Sequence, residues 1–111
     1  MAVTYKVLGQ VATATLGATT EGTLYTAQNP AVVSSIVICN QAATAATYRI
    51  AVRPSADGST AAKHWIVYGT TVAASDTTVI TMGLTLATGD KIQVFGSSAT
   101  LSFSAYGSEI S

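Results

Sequence analysis

Apolar and polar side chains alternate with a period of two along most of this chain. The alternation is clearest in Ala46-Thr47-Tyr48-Arg49-Ile50-Ala51-Val52-Arg53-Pro54. Tyr48, Ile50 and Val52 point one way, and Thr47, Arg49, Ala51 and Arg53 the other. That spacing predicts a strand with one buried face and one wet or contacting face. Pro54 ends it, having no N–H to donate to a ladder. Residues 32–39 are more continuously apolar and suit a neighbouring central strand that stops at Asn40, whose side chain can bond its own backbone. Residues 3–8 alternate weakly until Gly9-Gln10 breaks them, and residues 11–16 read as another short strand. A polar turn is expected over 17–22, a strand over 23–26, and a turn at Gln28-Asn29-Pro30.

Downstream, 41–45 is a short connection and 54–60 a loop containing Asp57-Gly58. Ala61-Ala62-Lys63 adds at most a helical turn. Strands are expected over 63–68, closed by Gly69, and over 77–82, which is rich in β-branched residues. Ala73-Ala74-Ser75-Asp76 forms a turn between them. Residues 83–86 cross to a turn at Thr88-Gly89-Asp90, followed by strands over 91–95 and 100–106 separated by Gly96-Ser97-Ser98. In the last strand Leu101, Phe103 and Ala105 point inward. Eight or nine short strands with turn signals every 8–12 residues or so, and no substantial helix, predict an all-β, single-domain antiparallel β-sandwich of jelly-roll or Ig-like type. A small barrel shares the same local signals. The domain spans residues 1–111, with 1–22 as its first strands or an N-terminal arm.

Composition narrows what such a domain can do. At 111 residues it is long enough for one core. Only 9% of residues are charged, five basic against five acidic, where soluble domains average roughly 25%. Small neutral side chains can pack against another surface without desolvating ions, which costs several kcal/mol apiece, and low net charge favours association. A homo-oligomer, a trimer foremost, or a subunit of a larger assembly is expected. No basic stripe marks a nucleic-acid partner, and no apolar run approaches the roughly 20 residues of a membrane span. Residues 1–10 lack a charged stretch followed by a long apolar run, so no secretory signal is expected there.

Candidate chemistry is sparse. His64 is the single histidine and is expected at the surface or partly covered. Asp57, Asp76 and Asp90 fall at turns, and no serine stands in a nucleophile-elbow setting. One cysteine and one histidine are too few for a zinc site, no oxygen-ligand cluster suggests calcium, and no phosphate-binding glycine motif occurs. No catalytic, cofactor or metal residue is therefore assigned. Cys39 is expected to pack as a small buried hydrophobe, an intersubunit disulfide being the alternative. Trp65 and Tyr68 with a turn aspartate could hold a saccharide. Arg49 and Arg53 project from one face about 13 Å apart, placed either to meet carboxylates of a neighbouring subunit or to lay their stems over apolar surface. By parity Phe95 and Tyr106 fall on outer faces, where two exposed aromatics on neighbouring strands would form a contact patch.

The segments 33–40, 48–54, 63–68, 74–77, 82–86 and the ending Leu101-Ser102-Phe103-Ser104-Ala105-Tyr106-Gly107-Ser108-Glu109-Ile110 together resemble a family of small structural proteins of tailed bacteriophages. The likeness covers most of the chain after Leu24. It implies a virion protein without enzymatic activity, made in the bacterial host cytoplasm, that decorates or reinforces the particle. The capsid is the first expectation for its place, a neck or tail position the second. Its partners would be itself and other virion proteins. In that setting Arg49, Arg53, Lys63, Trp65, Phe95 and Tyr106 are the residues expected to orient contacts.

Overall fold

The computed structural model describes residues 2–16 and 21–110. The chain forms β1 (Val3–Ala12), a short helical turn α1 (Thr13–Leu16), β2 (Gly22–Thr26), β3 (Ala31–Asn40), β4 (Ala46–Arg53), β5 (Trp65–Val72), β6 (Thr77–Leu86), β7 (Lys91–Gly96) and β8 (Leu101–Ile110). A 3₁₀ turn, Ala62–His64, precedes β5. Among the described residues, eight strands make two four-stranded antiparallel sheets, ordered β1-β8-β3-β6 and β2-β7-β4-β5. The pairs 1·8, 2·7, 3·6 and 4·5 are those of one long hairpin folded about the β4–β5 connection, then wrapped so that 8·3 and 7·4 also pair. Of the two sandwich types expected, this is the jelly roll.

The strand parity read from the sequence places the core. Tyr48 and Ile50 of β4, Ile92 and Val94 of β7, and Leu101, Phe103 and Ala105 of β8 all face inward and are buried. They meet Val33, Ile36 and Ile38 of β3, which are fully covered. Tyr48 and Phe103 pack edge to face, centroids 6.3 Å apart, bridging the two sheets. Burial of each such side chain contributes about 1.5–3 kcal/mol.

Several expectations are corrected, each for a local physical reason. The breaks expected at Gly9 and after residue 82 are bulges inside longer strands. Leu8 is the extra residue in β1 opposite Tyr106–Ala105 of β8. Two residues of β6, Met82 and Gly83, oppose Ser34 alone. Gly69 does not close β5. It takes φ +78° as the extra residue between Tyr68 and Thr70, a conformation glycine adopts without Cβ strain. Residues 13–16 are not strand, because Thr13 turns inward: its hydroxyl donates to Ser98 O at 2.8 Å and accepts from Leu101 N at 3.1 Å. The turn expected over 17–22 lies outside the described residues at 17–20.

Cys39 is half-buried on an outer face rather than in the core, since the inward parity of β3 passes through Ile36, Ile38 and Asn40. Asn40 is 1% exposed and ties three loops together at that end of the sandwich. Its Oδ1 accepts from Ala42 N and Thr100 Oγ1, both at 3.1 Å. Its Nδ2 donates to Thr44 O at 2.9 Å and toward Val72 O and Ala73 O at 3.3 Å.

Candidate functional site

Each sheet turns one face to the other and one face outward, and the two outer faces differ in chemistry. On the second sheet, three adjacent strands place Phe95, Arg49 and Tyr68 directly side by side: Arg49 pairs in register with Phe95 of β7 and with Tyr68 of β5. The guanidinium carbon of Arg49 sits 4.0 Å from the Tyr68 ring centroid and 4.6 Å from that of Phe95. At this distance a cation over an aromatic face gains about 0.5–1 kcal/mol per ring. Trp65 meets Tyr68 edge-on, centroids 5.7 Å apart at 73°. An ordered cation is therefore held between two aromatic rings, with Trp65 packed against one of them, on the outer face of the second sheet.

Of the six contact residues expected from sequence, this cluster gathers Arg49, Trp65 and Phe95. Arg53 shares the face but turns aside, its Nη1 donating to Thr60 Oγ1 at 3.4 Å, so the two arginines do not act as one unit. Lys63 is exposed in the 3₁₀ turn. Tyr106 lies on the other sheet altogether, because β7 and β8, although consecutive, belong to opposite sheets. The patch expected from Phe95 with Tyr106 does not exist. The sequence named Tyr68 only for saccharide contact; its place beside Arg49 and on one face with Trp65 depends on two extra residues in β5, Gly69 and Ile66, each of which resets the strand's parity.

His64 is buried, 5% exposed, where a surface or partly covered residue was expected. The 3₁₀ turn folds its ring beneath the 54–64 loop. Ala61 N donates to Nδ1 at 2.8 Å. A backbone N–H can only donate, so Nδ1 carries no proton and Nε2–H donates to Asp57 Oδ2 at 2.9 Å. That hydrogen bond holds the Asp57 carboxyl below its ordinary range, with Lys63 and Arg53 adding charge attraction. Both ring nitrogens are thereby occupied in shaping a loop. Asp76 and Asp90 likewise serve turns: Asp76 Oδ1 accepts from Thr77 N, and Asp90 accepts from Ser55 N and Ala87 N. Among the described residues no three His, Cys, Asp or Glu side chains converge on a point.

The outer face of the first sheet has the opposite character. By register its outward side chains are Val3, Tyr5 and Val7 of β1, Tyr106 and Ser108 of β8, Val32, Ser35 and Val37 of β3, and Val79, Thr81 and Thr85 of β6, with their Ser, Thr and Ala neighbours. Not one of the chain's ten charged residues lies on it. Lys6 and Glu109, which belong to β1 and β8, have the inward parity. Lys6 Nζ pairs with Glu109 Oε1 at 2.8 Å, and Tyr25 Oη donates to Glu109 Oε2 across the gap between the sheets. The carboxyl of Glu109 is held low by Lys6 first and then Tyr25. Burial, then Glu109, pushes the Tyr25 phenol up. Tyr5 is 83% exposed, Val79 59%, Val3 51% and Val7 47%, so the uncharged face offers large apolar groups to whatever lies above it.

No family model matches this chain, and no curated protein matches it in sequence. Its fold has solved counterparts. The nucleoplasmin-like N-terminal domain of Drosophila FKBP39 superposes with a TM-score of 0.51 at 14% identity, over 98% of this chain and 92% of that one. A chain in the structure of infectious bursal disease virus, Gx strain, superposes with a TM-score of 0.54 at 11% identity, over 96% of this chain. This chain spans about a third of that viral chain, 32%. At these identities the likeness is one of fold: an eight-stranded antiparallel β-sandwich.

Proposed function

We propose that this chain is a non-enzymatic structural subunit of a tailed-phage virion that packs through the outer face of its first sheet. The observation that carries the reading is the exclusion of all ten charges from a four-stranded face that exposes Tyr5, Val3, Val7 and Val79. A sheet face meant for water ordinarily alternates Thr and Ser with Lys, Glu and Arg. Here those residues are confined to turns, to the gap between the sheets and to the second sheet. Burying the exposed parts of the four large side chains yields roughly 5 kcal/mol gross. Association costs about 4–15 kcal/mol. A single such contact is therefore weak, and many copies on one lattice supply the missing stability through multivalency. The likeness of most of the chain to small phage structural proteins supplies the setting, with the capsid ahead of the neck or tail. The Arg49 cluster, on the opposite side of the sandwich, would face outward or toward a second partner.

Cryo-electron microscopy of particles carrying the chain tests this. Regular density on the shell, with the first sheet turned toward its support, is the expected result. Absence of the chain from particles would sink the reading. Density at the neck or tail would keep the structural role and move its place. One observation favours a second reading, saccharide binding: a shallow cleft of about 460 Å³ lined by Thr60, Ala61, Ala62, Trp65 and Tyr68. Trp65 and Tyr68 offer aromatic surface of the kind on which a sugar ring stacks. A glycan array with the native chain and Trp65→Ala decides it: signal lost in the variant supports the cleft, and no signal with either rejects it.

A further inference from the structure

The four strands of the second sheet contain no aspartate and no glutamate. They carry Arg49 and Arg53 on β4 and Lys91 on β7, and Lys63 stands in the turn before β5. Arg53 and Lys63 are drawn to Asp57 in the loop beside them. Arg49 has no such partner: among the described residues no carboxylate lies within ion-pair distance of it, and no oxygen accepts from its N–H groups. Its guanidinium is nonetheless fixed in place. β5 and β7 flank β4, so Tyr68 and Phe95 reach it from strands on opposite sides. A guanidinium has five N–H donors in one plane. Held this way it has given up its rotamer freedom before any ligand arrives, and its fork fits a carboxylate through two parallel hydrogen bonds.

We infer that this face binds an acidic oligosaccharide, with a uronate carboxylate on Arg49 and a neighbouring sugar ring in the cleft at Trp65 and Tyr68. Such binding rests on the saccharide reading of that cleft and names the ligand class. Tyr68 joins the two halves of the site. It lines the cleft, is 63% exposed, and its ring centroid lies 4.0 Å from the Arg49 guanidinium. Phe95, Arg49, Tyr68 and Trp65 thus follow one another in a row across β7, β4 and β5, at separations of 4.6, 4.0 and 5.7 Å. A sugar ring against Trp65 has the Tyr68 side chain between it and the guanidinium, so the carboxylate comes from the next sugar along. Two other occupants fit less well. A second copy brings no spare acidic side chain, since all five already hold partners on their own chain. Glu21 accepts from Thr60, Asp57 from His64, Asp76 from Thr77 N, Asp90 from Ser55 N and Ala87 N, and Glu109 from Lys6 and Tyr25. An acidic peptide would satisfy Arg49 and leave Trp65 and its cleft without a use.

Trp65 is the single tryptophan of the chain, so its fluorescence reports the cleft in the unmodified protein, with no variant needed. An array of uronate-bearing oligosaccharides, each printed beside its methyl ester, selects the sugar, and fluorescence titration of the full chain then gives Kd. The uronate should shift the Trp65 emission. Its methyl ester, which keeps the rings and loses the charge, should bind at least about tenfold more weakly. Arg49→Met should lose a similar factor and Arg49→Lys most of it, because an ammonium keeps the charge without the fork. Trp65→Ala should lose the array signal, with circular dichroism confirming that each variant is folded. Equal binding of uronates and their esters overturns the Arg49 site and leaves the saccharide reading standing. No signal from any sugar rejects both. Uronate binding unchanged in Arg49→Met overturns the site as well. Oligoglutamate that shifts the Trp65 emission as strongly as the uronates, and through Arg49, overturns it in favour of an acidic peptide.

Discussion

Asn40 offers the sharpest test of how this sandwich is held closed. Its amide is 1% exposed and joins the 41–45 connection, the end of β5 and the start of β8. An amide NH₂ has two hydrogens for the three carbonyls around it, so two donated and two accepted hydrogen bonds are made at a time. At a net value of about 1 kcal/mol each, partly recovered because Thr100 keeps its bond to Ser98, Asn40→Ala should cost about 3 kcal/mol. For a chain of 111 residues the unfolding entropy is about 0.23 kcal/mol per kelvin, which converts that loss to a fall in Tm of about 13 °C. Asn40→Asp is the discriminating partner. It keeps the accepting oxygen and turns the donor into a second acceptor aimed at three carbonyls. Burial and those carbonyls raise the new carboxyl's folded pKa above its unfolded value, so its neutral form is the one the fold favours. Asn40→Asp should then be less stable than Asn40→Ala at pH 7 and recover as pH falls through its raised folded pKa, fully by about pH 4. Circular-dichroism melts at one fixed low concentration, so that association does not shift Tm, measure all three proteins. A loss under about 1 kcal/mol for Asn40→Ala, or an Asn40→Asp variant with no recovery in acid, refutes the reasoning.

Three further outcomes follow from other parts of the molecule. Arg49→Met keeps the stem and removes the cation from Tyr68 and Phe95, so urea denaturation should show a loss of about 1 kcal/mol; no change would mean that the stacked guanidinium contributes only shape. Gly107→Ala puts a Cβ 2.0 Å from Val32 O, backbone that cannot move aside, and should cost about 3 kcal/mol or more. Gly83→Ala, with open space at its Cβ, should stay within about 0.5 kcal/mol of the parent chain, and comparable losses in both would refute the packing argument. Glu109 has its carboxyl pKa lowered by Lys6 and Tyr25, so it contributes stability that is complete above its unfolded value and lost as pH falls through the folded one. The difference in urea midpoint between the native chain and Glu109→Gln should therefore be constant from pH 7 to 5 and shrink below about pH 4; a gap that widens in acid would reverse the assignment.

Local chemistry was legible wherever one strand settled the question. The period of two in 46–53 put Tyr48 and Ile50 inside and Arg49 outside. The same alternation in 101–105 assigned Leu101, Phe103 and Ala105 to the core, and Asp76 and Asp90 announced their turns. These follow from the chain's own geometry, because adjacent side chains on an extended backbone must point to opposite faces. The cluster at Arg49 was half legible: its cation and two of its aromatics were named, whereas Tyr68 joined it through the bulges at Gly69 and Ile66.

Tertiary structure alone decided which strands became neighbours. Phe95 and Tyr106, eleven positions apart on consecutive strands, lie on opposite sheets, since wrapping the long hairpin sends β7 and β8 to different layers. His64 is buried by a fold of the 54–64 loop that no periodicity encodes. Gly9, Gly69 and the Met82–Gly83 pair look like strand ends in one dimension and are bulges in three, because a partner strand keeps pairing across the extra residue. The uncharged outer face is the largest case. Glu109 follows the inward parity of Leu101, Phe103 and Ala105 along β8, and the pairing of β1 with β8, shifted by one residue at Leu8, turns Lys6 to the same side.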